Sequence, residues 1–190
     1  MRFLLRVAAM AAFLLPRAAL ADSSPWADEV RFGVYQHDSG WIGTHKENGT
    51  DFALEVLSRP VTALWLIGTP RLVLGGALNT AGKTSQVYVA IDKQLDLFKQ
   101  VFSREDAVFV EGTIGGVWHN GKLNVSNNPS LDAHWKSHGS RFLFRPGLAV
   151  GYRFNERWSL AASLNHISNA NLAKPNQGMN DIGLLLGMRF

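Results

Sequence analysis

The chain contains no cysteine among its 190 residues. It therefore forms no disulfide, and it is not a lipoprotein anchored through an acylated N-terminal cysteine. After Ala21 it also lacks an uninterrupted apolar run of about 18 residues, the length from which a transmembrane helix is expected. These absences exclude a disulfide-stapled secreted domain and a membrane protein that spans the bilayer with helices.

Acidic residues are missing from the first 21 positions, which hold three arginines. Arg2 and Arg6 precede the apolar run 7–15, and a small-residue A-x-A motif stands at 19–21. A basic start, a short apolar run and a small-residue cleavage motif are typical of a secretory signal. The sequence therefore predicts a signal peptide over residues 1–21 and export of the remaining chain.

Little net charge remains once this segment is removed. Taking three arginines from the 19 basic residues leaves 16, against 15 acidic residues. The isoelectric point of about 9.6 thus owes much to the signal, and the charge does not predict a nucleic-acid partner. Residues 22–190 are enough for a single domain.

Short segments with alternating side chains follow one another through the mature chain. Turns rich in Gly, Asn, Asp, Ser and Pro separate them, and alternation with period two is typical of β-strands. The pattern predicts eight strands, at 29–37, 50–57, 71–79, 86–98, 107–118, 141–154, 157–168 and 180–190. The apolar but irregular stretch 58–70 is a connection or an extension of a strand.

One face of each segment is apolar, and the other is small, polar or charged. In the second segment Phe52, Leu54 and Val56 alternate with Asp51 and Glu55. Charges on one face and a broad apolar band on the other favour an all-β fold, an eight-stranded antiparallel outer-membrane β-barrel with its apolar face toward lipid. Since periodicity alone does not distinguish inside from outside, a soluble lipocalin-like barrel with its apolar face inward is the alternative.

The seventh segment carries polar residues on its apolar face. Leu160, Ala162 and Leu164 share that face, and continuing by two reaches His166 and Ser168. Their Cα atoms should lie about 6.5 Å apart, close enough for an imidazole to reach a hydroxyl. If the barrel starts in the periplasm, this strand ends near the outer surface, beside lipopolysaccharide. The plainer interpretation is that both residues lie at the headgroup level without a chemical role.

The stretch HISNANLAKPNQGMN resembles the signature of the lipid A 3-O-deacylase family, the PagL-type acyloxyacyl hydrolases. The family pattern is His-x-Ser-Asn-Ala, then Pro-Asn-x-Gly, and an acid two residues beyond that glycine. The matching residues, at the family spacing, are His166, Ser168, Asn169, Ala170, Pro175, Asn176 and Gly178. The resemblance implies an eight-stranded outer-membrane barrel that hydrolyses the ester-linked acyl chain at position 3 of lipid A.

The same resemblance implies roles for three residues. Ser168 would attack the ester carbonyl, His166 would act as the base, and Asn169 would help to stabilise the oxyanion, alone or with nearby backbone N–H groups. This scheme requires no metal and no cofactor. The implied partner is lipid A of lipopolysaccharide in the outer membrane, and the sequence leaves a homodimer open.

The chain departs from the family at the acidic position, where it has Asn180. An asparagine can orient the imidazole through a hydrogen bond, but it cannot stabilise an imidazolium by charge; in a serine protease the corresponding exchange costs about 10⁴ in turnover. Asp181 is the alternative third member, although alternation points it into the barrel unless a bulge reverses the side. A catalytically silent barrel, structural or lipid-binding, is therefore the competing hypothesis, and an acyltransferase is a smaller one.

Two further groups of polar residues are interpreted as structural. His134 and His138 have metal-ligand spacing for a helix, but segment 119–140 is rich in Asn, Ser, Gly and Pro, which favours a solvated loop. Four charged residues of the fifth and sixth segments are expected to fill the lumen as a charged network rather than a catalytic centre. They are Glu111, Arg141, Arg145 and Arg153.

Overall fold

A computed structural model describes residues 26–190, and the predicted signal peptide 1–21 lies outside the described residues. Eight antiparallel strands close into a barrel in chain order. They are β1 Ala27–Gln36, β2 Thr50–Ser58, β3 Arg71–Asn79, β4 Gln86–Lys99, β5 Ala107–His119, β6 Phe142–Arg153, β7 Trp158–Ile167 and β8 Met179–Arg189. The predicted fold class is confirmed.

Pairing between the first and the last strand closes the barrel. Glu29 of β1 lies opposite Arg189 of β8, and the register continues without a shift to Gln36 opposite Ile182. Closure pairs every strand on both sides and so leaves no strand edge open for association with another chain.

Two short helices lie in the connections. A 3₁₀ helix, Thr62–Ile67, occupies the irregular stretch between β2 and β3, and the one-turn helix α1, Pro129–Asp132, lies between β5 and β6. Asn128 caps α1, because its side-chain oxygen accepts a hydrogen bond from the Leu131 N–H at 3.1 Å. Within residues 26–190, no helix has the length and apolar character needed to cross a membrane.

The apolar face of the strands points away from the barrel axis. In β2, Leu54 is 56% exposed, whereas its neighbours Ala53 and Glu55 are 2% and 5% exposed. The same alternation, with large apolar side chains outside, repeats around the barrel. The soluble barrel with an inward apolar face is therefore wrong for this chain.

Paired charges fill the half of the interior nearer the start of β1 and the end of β8. The Nε of Arg31 lies 2.6 Å from Glu29, and its two terminal nitrogens each lie 2.6 Å from an oxygen of Glu111. Arg71 joins Glu29 and Asp92 at 2.6 and 2.7 Å. Removing one partner from a buried ion pair typically costs about 3–5 kcal/mol, so the network specifies how the narrow lumen is filled.

The arginines of the sixth segment do not all face the lumen. Arg145 and Arg153 point inward as expected, and the guanidinium of Arg145 stacks 3.7 Å from the ring centre of Tyr88. The expectation for Arg141 was wrong, because this residue precedes β6 and donates to the His119 carbonyl at 2.9 Å. Arg141 therefore stabilises the start of the connection 120–141 and does not take part in the charged network of the lumen.

The two ends of the barrel differ in their connections. The end that we call lower holds Trp26 and Phe190, at the two ends of the described chain. The upper end carries the connections 37–49, 80–85, 120–141 and 168–178. The predicted site stretch lies at this upper end.

Candidate active site

Strand β7 directs His166 and Ser168 to the outside of the barrel. Their neighbours Asn165 and Ile167 are buried in the interior, and His166 and Ser168 are partly exposed, as the alternation requires. Both side chains therefore project from the outer wall where the apolar band meets the upper loops.

The main chain of Ser168 is fixed to the neighbouring strand. Its N–H donates to the Phe144 carbonyl at 3.1 Å, and its carbonyl accepts from the Phe144 N–H at 2.8 Å. This bridge continues the sheet one residue past the end of β7. The serine thus stands on a fixed backbone, two residues beyond the histidine on the same face.

The imidazole of His166 is oriented by the residue opposite it. Asn180 of β8 faces His166 in the register, and its Oδ1 lies 2.8 Å from Nδ1 of the ring. Since this hydrogen bond engages Nδ1, Nε2 is the ring nitrogen that Asn180 leaves unengaged.

Gly178 makes room for the imidazole. A Cβ atom at this position would lie 2.6 Å from Cε1 and 3.0 Å from Nε2 of His166. Any other residue would push the ring away, so the glycine of the family pattern has a steric function here.

Asn180 is fully buried although it lies on the outward side of β8. Loop 37–49 covers it, and its Nδ2 donates to the carbonyl of Ile42. Both ends of its amide are therefore engaged, Oδ1 by His166 and Nδ2 by the loop.

Asp181 points to the other side of the strand, into the barrel. One of its oxygens accepts from the Asp38 N–H at 3.1 Å, and the other accepts from Nε2 of Gln86 at 3.0 Å. No bulge reverses the side, because β7 and β8 keep an unbroken register through this point. In this geometry Asn180, and not Asp181, is the neighbour of His166.

The side-chain nitrogen of Asn169 holds the surrounding loops together. It donates to the carbonyls of His138, Ala173 and Pro175 at 2.8, 3.0 and 3.1 Å. The backbone N–H of Asn169 donates to Oδ1 of Asn176 at 3.0 Å. These contacts give Asn169 a structural role, and its predicted oxyanion role stays a prediction.

A second histidine site, which the sequence did not predict, lies at the upper end. His37 lies 2.8 Å from Asp51 through Nδ1 and 3.1 Å from Glu47 through Nε2, and Asp181 is 3.7 Å away. These residues come from different parts of the chain. Local sequence patterns therefore do not show that they lie together, and only a prediction of contacts between distant residues could have done so. His37, Asp51 and Asp181 are close enough to hold a cation, with ligand atoms within 4.8 Å of one another.

A protonated imidazole already supplies positive charge at that place. Burial lowers the pKa of His37, but hydrogen bonds to Asp51 and Glu47 outweigh burial and raise the pKa to about 10. Burial also raises the pKa of Glu47, yet the hydrogen bond from His37 and further donors lower it to about 2. The group is therefore interpreted as an ion pair.

His134 and His138 do not form a pair. The helix α1 ends at Asp132, so the spacing assumed for a helix does not apply; His134 is exposed and His138 is buried. The ring of His138 packs 4.5 Å from that of His119. The interpretation of a solvated loop was therefore wrong for His138, because the loop folds back over the barrel opening.

Comparison with known families decides what kind of barrel this is. Residues 34–189 match the family model described as "Lipid A 3-O-deacylase (PagL)". This chain belongs to the lipid A 3-O-deacylase family. No curated protein matches the chain.

Similarity to a solved structure supports the barrel fold. A structure described as "Crystal structure of the outer membrane enzyme PagL" is similar, with a TM-score of 0.60 and 17% identity over 85% of this chain and 99% of that chain. The backbone structure of the Yersinia pestis outer membrane protein Ail in a phospholipid bilayer nanodisc has a TM-score of 0.44 and 12% identity, over 87% of this chain and 99% of that one.

Family and fold together identify an outer-membrane β-barrel of a hydrolase family. The outward apolar band is then the surface that contacts lipid. The polar pair His166 and Ser168 lies at the upper edge of that band, where hydrocarbon gives way to the loops.

Proposed function

We propose that this chain is a serine esterase that removes the ester-linked 3-O acyl chain from lipid A of lipopolysaccharide. Ser168 is the nucleophile and His166 is the base. The observation that supports this most strongly is the projection of both side chains from the outer wall, with Nδ1 of His166 engaged by Asn180. A nucleophile in that position meets a lipid substrate within its own membrane.

The reaction needs two chemical steps. Ser168 Oγ attacks the ester carbonyl carbon while its proton moves to Nε2 of His166. When the tetrahedral intermediate collapses, the C–O bond to the sugar breaks, and the imidazolium returns the proton to the departing sugar oxygen. Water, activated by the same imidazole, then hydrolyses the acyl-serine and releases the fatty acid.

The outer wall beside Ser168 suits an acyl chain. Its bridge partner Phe144 is exposed, and on the same face of β6 Phe142 and Leu148 are 71% and 68% exposed. Such a surface lets the chain of the substrate stay in an apolar environment while the ester reaches the rim.

The turn after the nucleophile supports an oxyanion site. Ala170 and Asn171 adopt φ angles of 51° and 64°, which are uncommon for residues other than glycine. Strained backbone of this kind often occurs at functional sites. Because the backbone N–H and the side-chain amide of Asn169 donate to other groups of the loops, the oxyanion donors proposed here are the backbone N–H groups of Ala170 and Asn171; loss of one such donor typically lowers turnover by about 10²–10³.

Release of fatty acid tests the proposal. Purified barrel in detergent is incubated with lipopolysaccharide, and released 3-hydroxy fatty acid is measured by mass spectrometry for the wild type, Ser168→Ala and Ser163→Ala. Ser163 lies on the same strand but faces the interior, so its variant is the matched control. We expect release by the wild type and by Ser163→Ala, and none by Ser168→Ala. A folded wild type without activity, or an active Ser168→Ala, refutes the esterase.

The competing function is a silent barrel that binds lipid or has a structural role. The observation in its favour is Asn180, which stands where the family pattern has an acid. The same assay decides between the two functions, because a silent barrel releases no fatty acid while remaining folded. Folding is followed independently by the heat-dependent mobility of the barrel on gels.

A further inference from the structure

An amide beside a catalytic imidazole raises a problem that a carboxylate does not. Both oxygens of a carboxylate accept hydrogen bonds, so either one fixes a proton on Nδ1 of the ring. An amide has one accepting end and one donating end. If Nδ2 of Asn180 faced His166, it would require a lone pair on Nδ1, and the only proton of a neutral ring would lie on Nε2. The ring could then accept no proton from Ser168.

Loop 37–49 contacts Asn180 twice. The carbonyl of Ile42 accepts a hydrogen bond from Nδ2 of Asn180, and the carbonyl of Asn180 accepts from the Ser39 N–H at 2.7 Å. Because a carbonyl only accepts, Ile42 requires the donating end of the amide on its side. The accepting end, Oδ1, is then left for His166, as the 2.8 Å contact shows.

The loop itself is held in place by a buried carboxylate. One oxygen of Asp38 accepts from the backbone N–H groups of Lys46 and Glu47 at 2.7 and 3.1 Å. The other lies 3.3 Å from Nζ of the buried Lys136, which also donates to the Thr44 carbonyl. The parts of the loop on both sides of Ile42 are therefore held by contacts that do not involve His166.

We propose that the backbone carbonyl of Ile42 is a positioning group of the active site, which orients the Asn180 amide and thereby keeps the proton of His166 on Nδ1 and the basic lone pair on Nε2. This inference rests on the proposed function, in which Nε2 accepts the proton of Ser168. It assigns to loop 37–49 a role in the chemistry that its distance from Ser168 in the sequence does not suggest.

The same contact explains why this site fits an amide. A carboxylate at position 180 would place one oxygen against Nδ1 of His166 and the other against the carbonyl oxygen of Ile42. Two acceptors would then face each other at a fully buried position, at a cost in free energy. The loop and Asn180 thus form a matched pair that replaces the acid of the family pattern.

A matched pair of glycine variants tests the role of the loop. Gly43 follows Ile42 and has a φ angle of 95°, and Gly82 in connection 80–85 has a φ angle of 68°. A Cβ atom at either glycine meets no atom within 4 Å, so both alanine variants strain the backbone without a steric clash. Only Gly43→Ala reorients the peptide group that carries the Ile42 carbonyl.

The tautomer of His166 is the first measurement, made by ¹⁵N NMR on histidine-labelled barrel in detergent and assigned with His166→Gln. We expect the Nδ1–H form in the wild type and in Gly82→Ala, and a mixture of both forms in Gly43→Ala. In an Asn180→Asp background, Gly43→Ala should no longer change the tautomer, because a carboxylate accepts through either oxygen. An unchanged tautomer in Gly43→Ala, or an equal change in Gly82→Ala, overturns the proposal.

Kinetics of fatty-acid release give the second measurement. We expect Gly43→Ala to lower kcat about tenfold with little change in KM, since the altered carbonyl acts on the base and the variant removes no apolar side chain. Should Gly43→Ala fail to form a barrel, Gly43→Asn takes its place, because asparagine tolerates positive φ better than alanine. The tautomer is measured without turnover. If the protein is inactive but its tautomer changes in Gly43→Ala, only the esterase proposal is refuted. If the protein is active but its tautomer does not change in Gly43→Ala, only this role of Ile42 is refuted.

Discussion

Two histidines at the upper end of the barrel show opposite arrangements. His37 is buried, and both of its nitrogens are bonded to carboxylates, those of Asp51 and Glu47. His166 lies on the outer wall, with Nδ1 bonded to the neutral amide of Asn180 and with the ring partly exposed. A search for a histidine beside an acid would select His37 and miss His166.

The difference bears on which of the two histidines can act as the proposed base. The carboxylates around His37 raise its pKa to about 10, after overcoming the opposite effect of burial, and so keep the ring protonated at neutral pH. A protonated ring with two engaged N–H groups has no lone pair for a nucleophile. His166 has Nδ1 bonded to a neutral amide and is partly exposed, an arrangement that leaves Nε2 for the proposed role as a base even without a carboxylate.

The largest expected effect comes from replacing each histidine in turn by glutamine. His166→Gln should lower turnover by about 10³-fold and leave the barrel stable, because it removes the base but no buried charge. His37→Gln should lower the free energy of unfolding by about 3–5 kcal/mol, because three carboxylates lose their cation, and should lower turnover of the folded protein far less than His166→Gln does. Fatty-acid release and urea unfolding measure the two effects. If His37→Gln abolished turnover in a stable barrel, the contrast between the two histidines would be wrong.

A smaller effect is expected from the glycine beside His166. Gly178→Ala places a Cβ atom 2.6 Å from the imidazole and should displace the ring, lowering turnover by about 10²-fold. Gly112→Ala is the control, since a Cβ atom there meets nothing within 4 Å. Initial rates of fatty-acid release for the two variants check this. Equal rates would mean that the position of the ring does not limit the reaction.

The smallest expected effect is a change of stability with pH. The folded-state pKa of His37 is raised from 6.5 to about 10, so its stabilising contribution is complete below pH 6.5 and is lost as the pH rises toward 10. The urea midpoint of the wild type should fall over this range, and that of His37→Gln should fall less. Parallel curves for both proteins would show that His37 is not charged in the folded barrel.

Local patterns predicted the strands and the faces well. Side chains of a strand alternate regardless of what packs above them, so the outward positions of His166 and Ser168 followed from Leu160 and Leu164. The inward position of Asp181 followed from the same rule. The 3₁₀ helix at Thr62–Ile67 has no such period, and the sequence left that stretch undefined.

Contacts between loops could not be predicted in this way. These contacts bring together segments that are far apart in the chain. Ile42 covers Asn180, His138 becomes buried, and Asn169 donates to carbonyls of other loop residues. They depend on which loops meet above the barrel, and neither periodicity nor spacing encodes that. The family signature predicted the residues of the proposed site, but the partner of the Asn180 amide is visible only in three dimensions.

Covalent labelling tests the central claim most directly. A lipophilic phosphonate ester with a good leaving group reacts with an activated serine, whose oxygen bonds to phosphorus while the leaving group departs. Peptide mass spectrometry of the labelled barrel should find the phosphonyl group on Ser168 in the wild type, much less of it in His166→Gln, and none of it on Ser163. Fatty-acid release by a wild-type barrel that carries no label on Ser168, or carries it on another residue, would contradict the account.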